Sequence, residues 1–375
     1  MRILPHVASF EQEHDLRYNE NGRSRALRVG VLLSGGVDSA VALYSLLEAG
    51  HEVIAYHMKT MPDEFYLTRQ IKHKVCCSPA DTFDAQLIAK HFSVPLKVIH
   101  VEDVFRRTVI QYYLEEYKNG RTPNPCYLCN RLIKFGFVMD LILNDGADMI
   151  ASGHYARIVE GKLYRALDRE KDQSYFLASI ERNRLAKIIF PNGDKTKSQV
   201  REIAAKARIH VHSKQESQDL CFIPDGDQER FFKEHNVEFS EGPIYDVHGR
   251  ELGRHKGLIR YTVGQRKLGI SLGSRTYVVR IDAQRNAIIV GKEEDVHRNK
   301  FSVSHLNFLV DLPEEFSAFV KVRKNTSEVP CFVRHNGSEA HVETQQPIFA
   351  ITPGQAAVFY DGELVLGSGI IEEVL

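Results

Sequence analysis

Thiols are few in this chain, six in 375 residues, and they fall unevenly at Cys76, Cys77, Cys126, Cys129, Cys221 and Cys331. That scarcity excludes a disulfide-stapled secreted fold and points to a reducing cytoplasm. An excess of charge is lacking too, because 49 Lys and Arg balance 49 Asp and Glu. Any nucleic-acid partner must therefore be met by a local basic patch and not by the field of the whole molecule. No run of about 18 apolar residues occurs, which removes a spanning helix and a membrane role of that kind. Residues 1–25 mix Glu11, Glu13, Asp15 and Glu20 with arginines and hold no apolar run of signal-peptide length, so they read as a mobile arm. Repeats and low-complexity tracts are absent.

What is present starts with a phosphate-binding pattern. Apolar residues 29–33 lead into Ser34-Gly35-Gly36-Val37-Asp38-Ser39, and Ala40, Val41, Ala42, Leu43, Leu46 and Leu47 follow. This reads as strand, glycine turn and helix. Two glycines let backbone approach an anion, and the helix start offers unpaired N–H groups and partial positive charge. No Lys follows the glycines, so the loop of ordinary NTPases is excluded. Ser34 and Ser39 supply hydroxyls, and the Asp38 carboxylate is suited to hold magnesium or orient a water.

Length predicts two or three domains. Further strands are expected at 53–57, 96–101 and 148–151. Helices are expected after the Ser78-Pro79 cap, with Phe83, Leu87, Ile88 and Phe92 as the apolar face, and over 103–117, 132–143 and 202–207. Strands alternating with helices imply an α/β, Rossmann-like parallel sheet with ligands at the carboxyl ends of its strands, over residues 26–212. A small central α+β unit at 213–283 carries a predicted helix at 227–235 and a basic patch of Arg254, Lys256, Arg260, Arg266 and Lys267 with no acid between them. From Thr276 onward, short β-branched runs at 277–281, 287–290, 319–322, 331–333 and 357–360 predict an antiparallel β-barrel, assigned to 284–375.

Asn124-Pro125-Cys126-Tyr127-Leu128-Cys129-Asn130 sets two thiols three residues apart at the mouth of a predicted helix, a position that favours thiolate. Taken alone, this pair fits a redox couple, half of a zinc site or part of an iron–sulfur site. A second Cys-x-x-Cys or a His pair with zinc spacing is missing. Cys221 lies in a polar segment, Ser217-Gln218-Asp219-Leu220-Cys221-Phe222-Ile223-Pro224, and reads either as a reactive thiol or as a small buried hydrophobe. Cys331 reads as structural. Cys76-Cys77 read as packed or surface thiols or as a part of sulfur handling, and His154 as a backbone-orienting or a structural histidine.

The hexapeptide at 34–39 resembles the pyrophosphate loop of the ATP pyrophosphatases. Joined by Thr-Pro-Asn-Pro at 122–125, Cys129-Asn130, Ile133-Lys134-Phe135, Gly153-His154-Tyr155, 171–175, Cys221-Phe222-Ile223, 261–266 and Pro353-Gly354-Gln355-Ala356, it resembles the tRNA-specific 2-thiouridylases across nearly the whole chain after the arm. The resemblance implies ATP-dependent 2-thiolation of the wobble uridine of tRNA, normally of the Lys, Glu and Gln acceptors, with magnesium and with sulfur from a relay protein or a cysteine desulfurase. It implies that Leu32, Leu33, Ser34, Gly35, Gly36, Val37, Asp38, Ser39, Met58 and Gly153 bind ATP. Asn124, Pro125 and Cys126 would meet the target base, and Lys171, Asp172, Gln173, Arg323 and Lys324 would touch tRNA, joined by Arg260 and Arg266 of the basic patch. Cys129 matches the nucleophile and Cys221 the persulfide carrier, with an alternate disulfide between them. One departure stands out: Cys126 occupies the position of an Asp in well-known members. That leaves two routes, a persulfide relay or a four-iron, four-sulfur (4Fe–4S) cluster on Cys126, Cys129 and Cys221.

Overall fold

The computed structural model describes residues 26–67, 78–215, 220–268 and 275–375. The arm at 1–25 and Cys76-Cys77 lie outside the described residues. The first unit is a five-stranded parallel sheet. Strand β1 (Arg28–Leu32) leads through the glycine turn to α1 (Val37–Glu48) and β2 (Glu52–Lys59). Next come α2 (Pro79–His91), β3 (Leu96–His100), β4 (Met149–Ser152) and β5 (Ile188–Ile189), in the sheet order β3-β2-β1-β4-β5. Val53 to Met58 are buried without alternation, as expected of a central parallel strand covered on both faces. The carboxyl ends of β1 and β4 lie side by side, with Leu32 opposite Ser152, and this brings the glycine turn to Gly153.

Two details differ from expectation. Ser78 caps α2 with Pro79 in its first turn, as the sequence suggests, and Asp81 completes a reciprocal capping box with it, yet Phe83 and Leu87 point outward at 59% and 37% exposure. The buried face is Asp81, Ala85, Ile88 and Ala89, whose small residues let the helix lie close to the sheet. Helical rods at 102–118 and 125–144 are each continuous, and both contain wide π turns, Arg106–Ile110 and Asn130–Val138.

The middle unit joins helix Gln228–Glu234 to a four-stranded sheet. Its strands include Gly242–Asp246 and Glu251–His255, which the polar sequence concealed. The runs at 277–281 and 287–290 belong to this sheet and not to the barrel, because Ala287–Gly291 pairs with Tyr277–Asp282 on one side and with Gly242–Asp246 on the other. Six antiparallel strands from His297–Phe308 to Leu364–Val374 make the barrel, and those two strands pair with each other to close it. The hairpin Arg157–Val159 and Lys162–Tyr164, too short to be read from sequence, leaves the first unit and adds to the barrel sheet, with Tyr164 opposite Leu364.

Barrel and first unit share one core in which Tyr127 and Tyr175 pack with Val358 and Tyr360. Tyr127 Oη lies 2.8 Å from Ser368 Oγ, and Tyr175 donates to the Ala356 carbonyl at 2.9 Å. Arg121 straps the junction through Glu116 at 2.8 Å and Glu372 at 2.6 Å. Among the described residues no helix is long and apolar enough to cross a membrane.

Candidate functional site

The glycine turn is shaped by what surrounds it. Gly35 has φ +75°, and a Cβ there would stand 2.2 Å from the Asp81 carbonyl oxygen, so no other residue fits. Ser39 Oγ accepts from the Ser34 N–H at 3.1 Å and donates to the Gly36 carbonyl at 3.0 Å. The serines therefore brace the turn before any ligand arrives. Behind it, buried His57 touches the Leu33 carbonyl at 2.8 Å and Thr82 Oγ1 at 3.0 Å. Lys214 donates to the Gly35 carbonyl at 3.0 Å and to Asp81 at 2.8 Å, and also pairs with Asp84.

Asp38, in the first turn of α1, is already engaged. Lys197 Nζ lies 2.7 and 2.8 Å from its two oxygens, and Tyr155 donates to Oδ1 at 2.7 Å. Buried Asn192 donates to the Asp38 carbonyl at 2.9 Å and to the Gly153 carbonyl at 3.2 Å, locking the two loops together. In this state Asp38 is a partner of lysine and tyrosine, not an open magnesium ligand.

Around this frame is a cavity of about 330 Å3. Its wall includes Leu32, Leu33, Ser34, Gly36, Val37, Asp38, Ser39, Met58 and Gly153, so the predicted nucleotide group is brought together with Gly35 just behind. Lys171, Gln173 and Lys324, predicted as tRNA contacts, line the same cavity, the last from the barrel. Lys134, Tyr155 and Lys197 also line it, and the sequence reading assigned none of them a role. Lys134 and Tyr155 stand in motif blocks that were recognised, whereas Lys197 has only the capped helix start at Thr196 as a local signal. His154 Nδ1 lies 2.7 Å from Ser152 Oγ, and Lys134 Nζ is 3.5 Å from Nε2. Burial, reinforced by the Lys134 charge, pushes the His154 pKa well below its ordinary value, so the ring is neutral.

The remaining predicted residues are more scattered. Asn124 and Pro125 are buried, and Asn124 Oδ1 caps its helix by accepting the Tyr127 N–H at 3.1 Å. Asp172 accepts from the Ala166 and Ser174 N–H groups and pins its own loop. Arg323 is half-buried and donates to the Val263 carbonyl at 2.9 Å, tying barrel to middle unit, while Lys324 is exposed. Arg260 and Arg266 are exposed in the middle unit and off the cavity wall, and Arg260 pairs with Glu229, an acid the linear patch did not reveal.

Cys126 is exposed, Cys129 buried and Cys221 half-buried. Cys129 and Cys221 pack on the same core although far apart in sequence, and none of the three lines the cavity. Lys134, which does line it, sits on the helical rod that begins with Cys126 and Cys129. Among the described residues no group of three or more His, Cys, Asp or Glu converges as a metal site. Cys126, Cys129 and Cys221 are thus not arranged as a ligand set for a cluster, and the 4Fe–4S route finds no support in their placement. Cys331 is buried in a barrel strand, and burial pushes its thiol up to about 12, consistent with a structural role.

Three family models match in succession: a tRNA methyl transferase HUP domain over residues 27–225, a tRNA methyl transferase PRC-barrel domain over 229–292, and an Aminomethyltransferase beta-barrel domain over 298–371. Among curated relatives, the tRNA-specific 2-thiouridylase MnmA of Pseudothermotoga lettingae is 63% identical, covering 93% of this chain and 100% of its own. The proteins of the same name from Fervidobacterium nodosum and Thermotoga maritima are 58% and 48% identical, each over 92% of this chain and 99% of their own.

Proposed function

The chain belongs to the tRNA-specific 2-thiouridylase family, and on that premise we propose that it thiolates the wobble uridine of tRNA at C2 at the expense of ATP. It is a tRNA-modifying sulfurtransferase. The observation that carries the reading is the shared wall of one cavity: the Ser34–Ser39 loop forms one part, and Lys134, from the rod that starts with Cys126 and Cys129, forms another.

In the first step the uracil C2 oxygen attacks the α-phosphate of ATP and pyrophosphate leaves. Loop amides and the start of α1 hold the phosphates. The neutral His154 and Lys134 border the reacting region. In the second step sulfur replaces the adenylated oxygen and AMP departs. Cys221 carries the sulfur as a persulfide, supplied by a cysteine desulfurase or a relay protein. Cys129 then attacks it, releasing hydrogen sulfide and leaving a Cys129–Cys221 disulfide; alternatively, the persulfide attacks C2 directly. Asn124, Pro125 and Cys126 meet the target base. Lys171, Asp172, Gln173, Arg323 and Lys324 border the tRNA, and Arg260 and Arg266 add a basic approach from the middle unit. The acceptors are the tRNAs for Lys, Glu and Gln, and the compartment is the cytoplasm.

The test is nucleoside mass spectrometry of unmodified tRNA incubated with the protein, MgATP, cysteine and a cysteine desulfurase. Wild type yields 2-thiouridine, whereas Cys129→Ser and Cys221→Ser do not. A Cys221→Ser protein that thiolates at the wild-type rate would sink the relay.

A further inference from the structure

The turn at 34–39 contains hydroxyls and one carboxylate but no lysine. Adenylation nevertheless builds negative charge on pyrophosphate as it leaves, and a fixed cation in the site stabilises that charge. We propose that Lys197 is this cation, a catalytic residue whose ammonium is held on Asp38 before ATP binds and moves to the departing pyrophosphate during adenylation. The proposal rests on the thiolation reading above and adds a residue to it.

Four observations converge. Lys197 stands 159 residues beyond Asp38 in the chain, yet its ammonium is bonded to both oxygens of the loop carboxylate. Its side chain is only 11% exposed and forms part of the cavity wall. Its backbone is fixed, since it opens α3 (Lys197–Lys206) directly after the Thr196 capping box and donates its N–H to Asp168 Oδ2 at 2.9 Å. Asp38 keeps partners when the ammonium leaves, because Tyr155 holds the carboxylate and Asn192 holds the carbonyl. Lys134, by contrast, faces His154.

A lysine stem can swing its charge over a few ångströms while the backbone stays still. As the bond from uridine O2 to the α-phosphorus forms, the bond from that phosphorus to pyrophosphate breaks and its electron pair leaves on pyrophosphate. The uracil N3 proton passes to solvent. Lys197 keeps its protons and donates hydrogen bonds throughout. A lysine brought in from the far end of the domain thereby does what a loop lysine does in ordinary NTPases.

The experiment compares wild type with Lys197→Met in tRNA-dependent release of the leaving group from ATP and from its β,γ-methylene and β,γ-difluoromethylene analogues, under single-turnover conditions. We expect adenylation of tRNA with ATP to slow about 100-fold. The loss should be largest with the methylene leaving group, the most basic, and smallest with the difluoromethylene one. A loss of equal size for all three, or a rate within threefold of wild type, overturns the role. Asp38→Asn combined with Lys197→Met separates charge balance from catalysis: recovery of the wild-type rate in the double variant also overturns it, whereas a rate as low as that of Lys197→Met supports it. Melting curves of each variant verify that it is folded. If wild type itself releases no pyrophosphate on adding tRNA, the thiolation reading has failed; release by wild type with the overturning patterns fails Lys197 alone.

Discussion

Replacing Gly153 by alanine tests whether the two loops at the ends of β1 and β4 form one fitted unit. A Cβ at this position would stand 2.5 Å from the Asp38 carbonyl carbon, 2.5 Å from the Ser39 nitrogen and 2.7 Å from the Asp38 oxygen. All three are backbone atoms, so none can rotate away, and the loops must separate by roughly 0.9 Å to regain ordinary contact. Separation stretches both bonds of Asn192, at 2.9 and 3.2 Å, inside a protein interior that offers no water in exchange. Overpacking and weakened buried bonds together should cost about 2–4 kcal/mol of stability. The shift also moves Asp38 and the start of α1 away from the phosphates, and a displacement near 1 Å costs about 100-fold in rate. Equilibrium denaturation and single-turnover adenylation read the two effects. Gly50→Ala is the control, because Gly50 has φ +79° but nothing within 4 Å of the added atom. It should lose about 1–2 kcal/mol to backbone strain and keep full activity. If Gly153→Ala melts with wild type and adenylates within threefold of it, the loops are not fitted as described.

His154 is neutral in the folded protein and becomes protonated in the unfolded chain near pH 6.5, so acid favours unfolding. Stability should fall between pH 7 and pH 5 with a slope of at most about 1.4 kcal/mol per pH unit, and His154→Gln should flatten that part of the profile; an unchanged slope refutes the assignment. Brief native alkylation at pH 8, mapped by peptide mass, should modify exposed Cys126 well before buried Cys331, whose thiol is pushed up to about 12. Equal labelling would contradict the burial. Arg121→Ala leaves Glu116 and Glu372, both sheltered, without their shared cation, and should cost about 2–3 kcal/mol in denaturation. A loss below about 0.5 kcal/mol, the level of an exposed pair, would mean that the strap is not a joint.

Strands β1, β2 and β4 were legible because a parallel strand covered on both faces must be an uninterrupted apolar run. The loop was legible because its chemistry is local. Phe83 misled because a large apolar residue inside a helical pattern looks like a core residue, whereas small Ala85 and Ala89 provide the close face. The strands at 242–246 and 251–255 have too little apolar content to be read. Lys197 and Lys214 carry no sequence signal for their part in the site, since each acquires its meaning only from a carboxylate or carbonyl that the fold carries to it. Asn124 and Asp172, named from motif blocks, also brace their own loops, which the motifs did not reveal.

The hairpin of residues 157–164 makes the seam between catalytic unit and barrel different from a boundary drawn along the chain. Its strands belong to the catalytic unit by sequence and to the barrel by hydrogen bonding, with Leu163 fully buried. A barrel transplanted between relatives by cutting only near residue 297 would therefore arrive without the two strands that cover one of its flanks. Donor and recipient would each keep half of an unmatched joint. A working chimera must carry residues 157–164 along with the barrel, so the smallest exchangeable part of this enzyme is discontinuous in sequence.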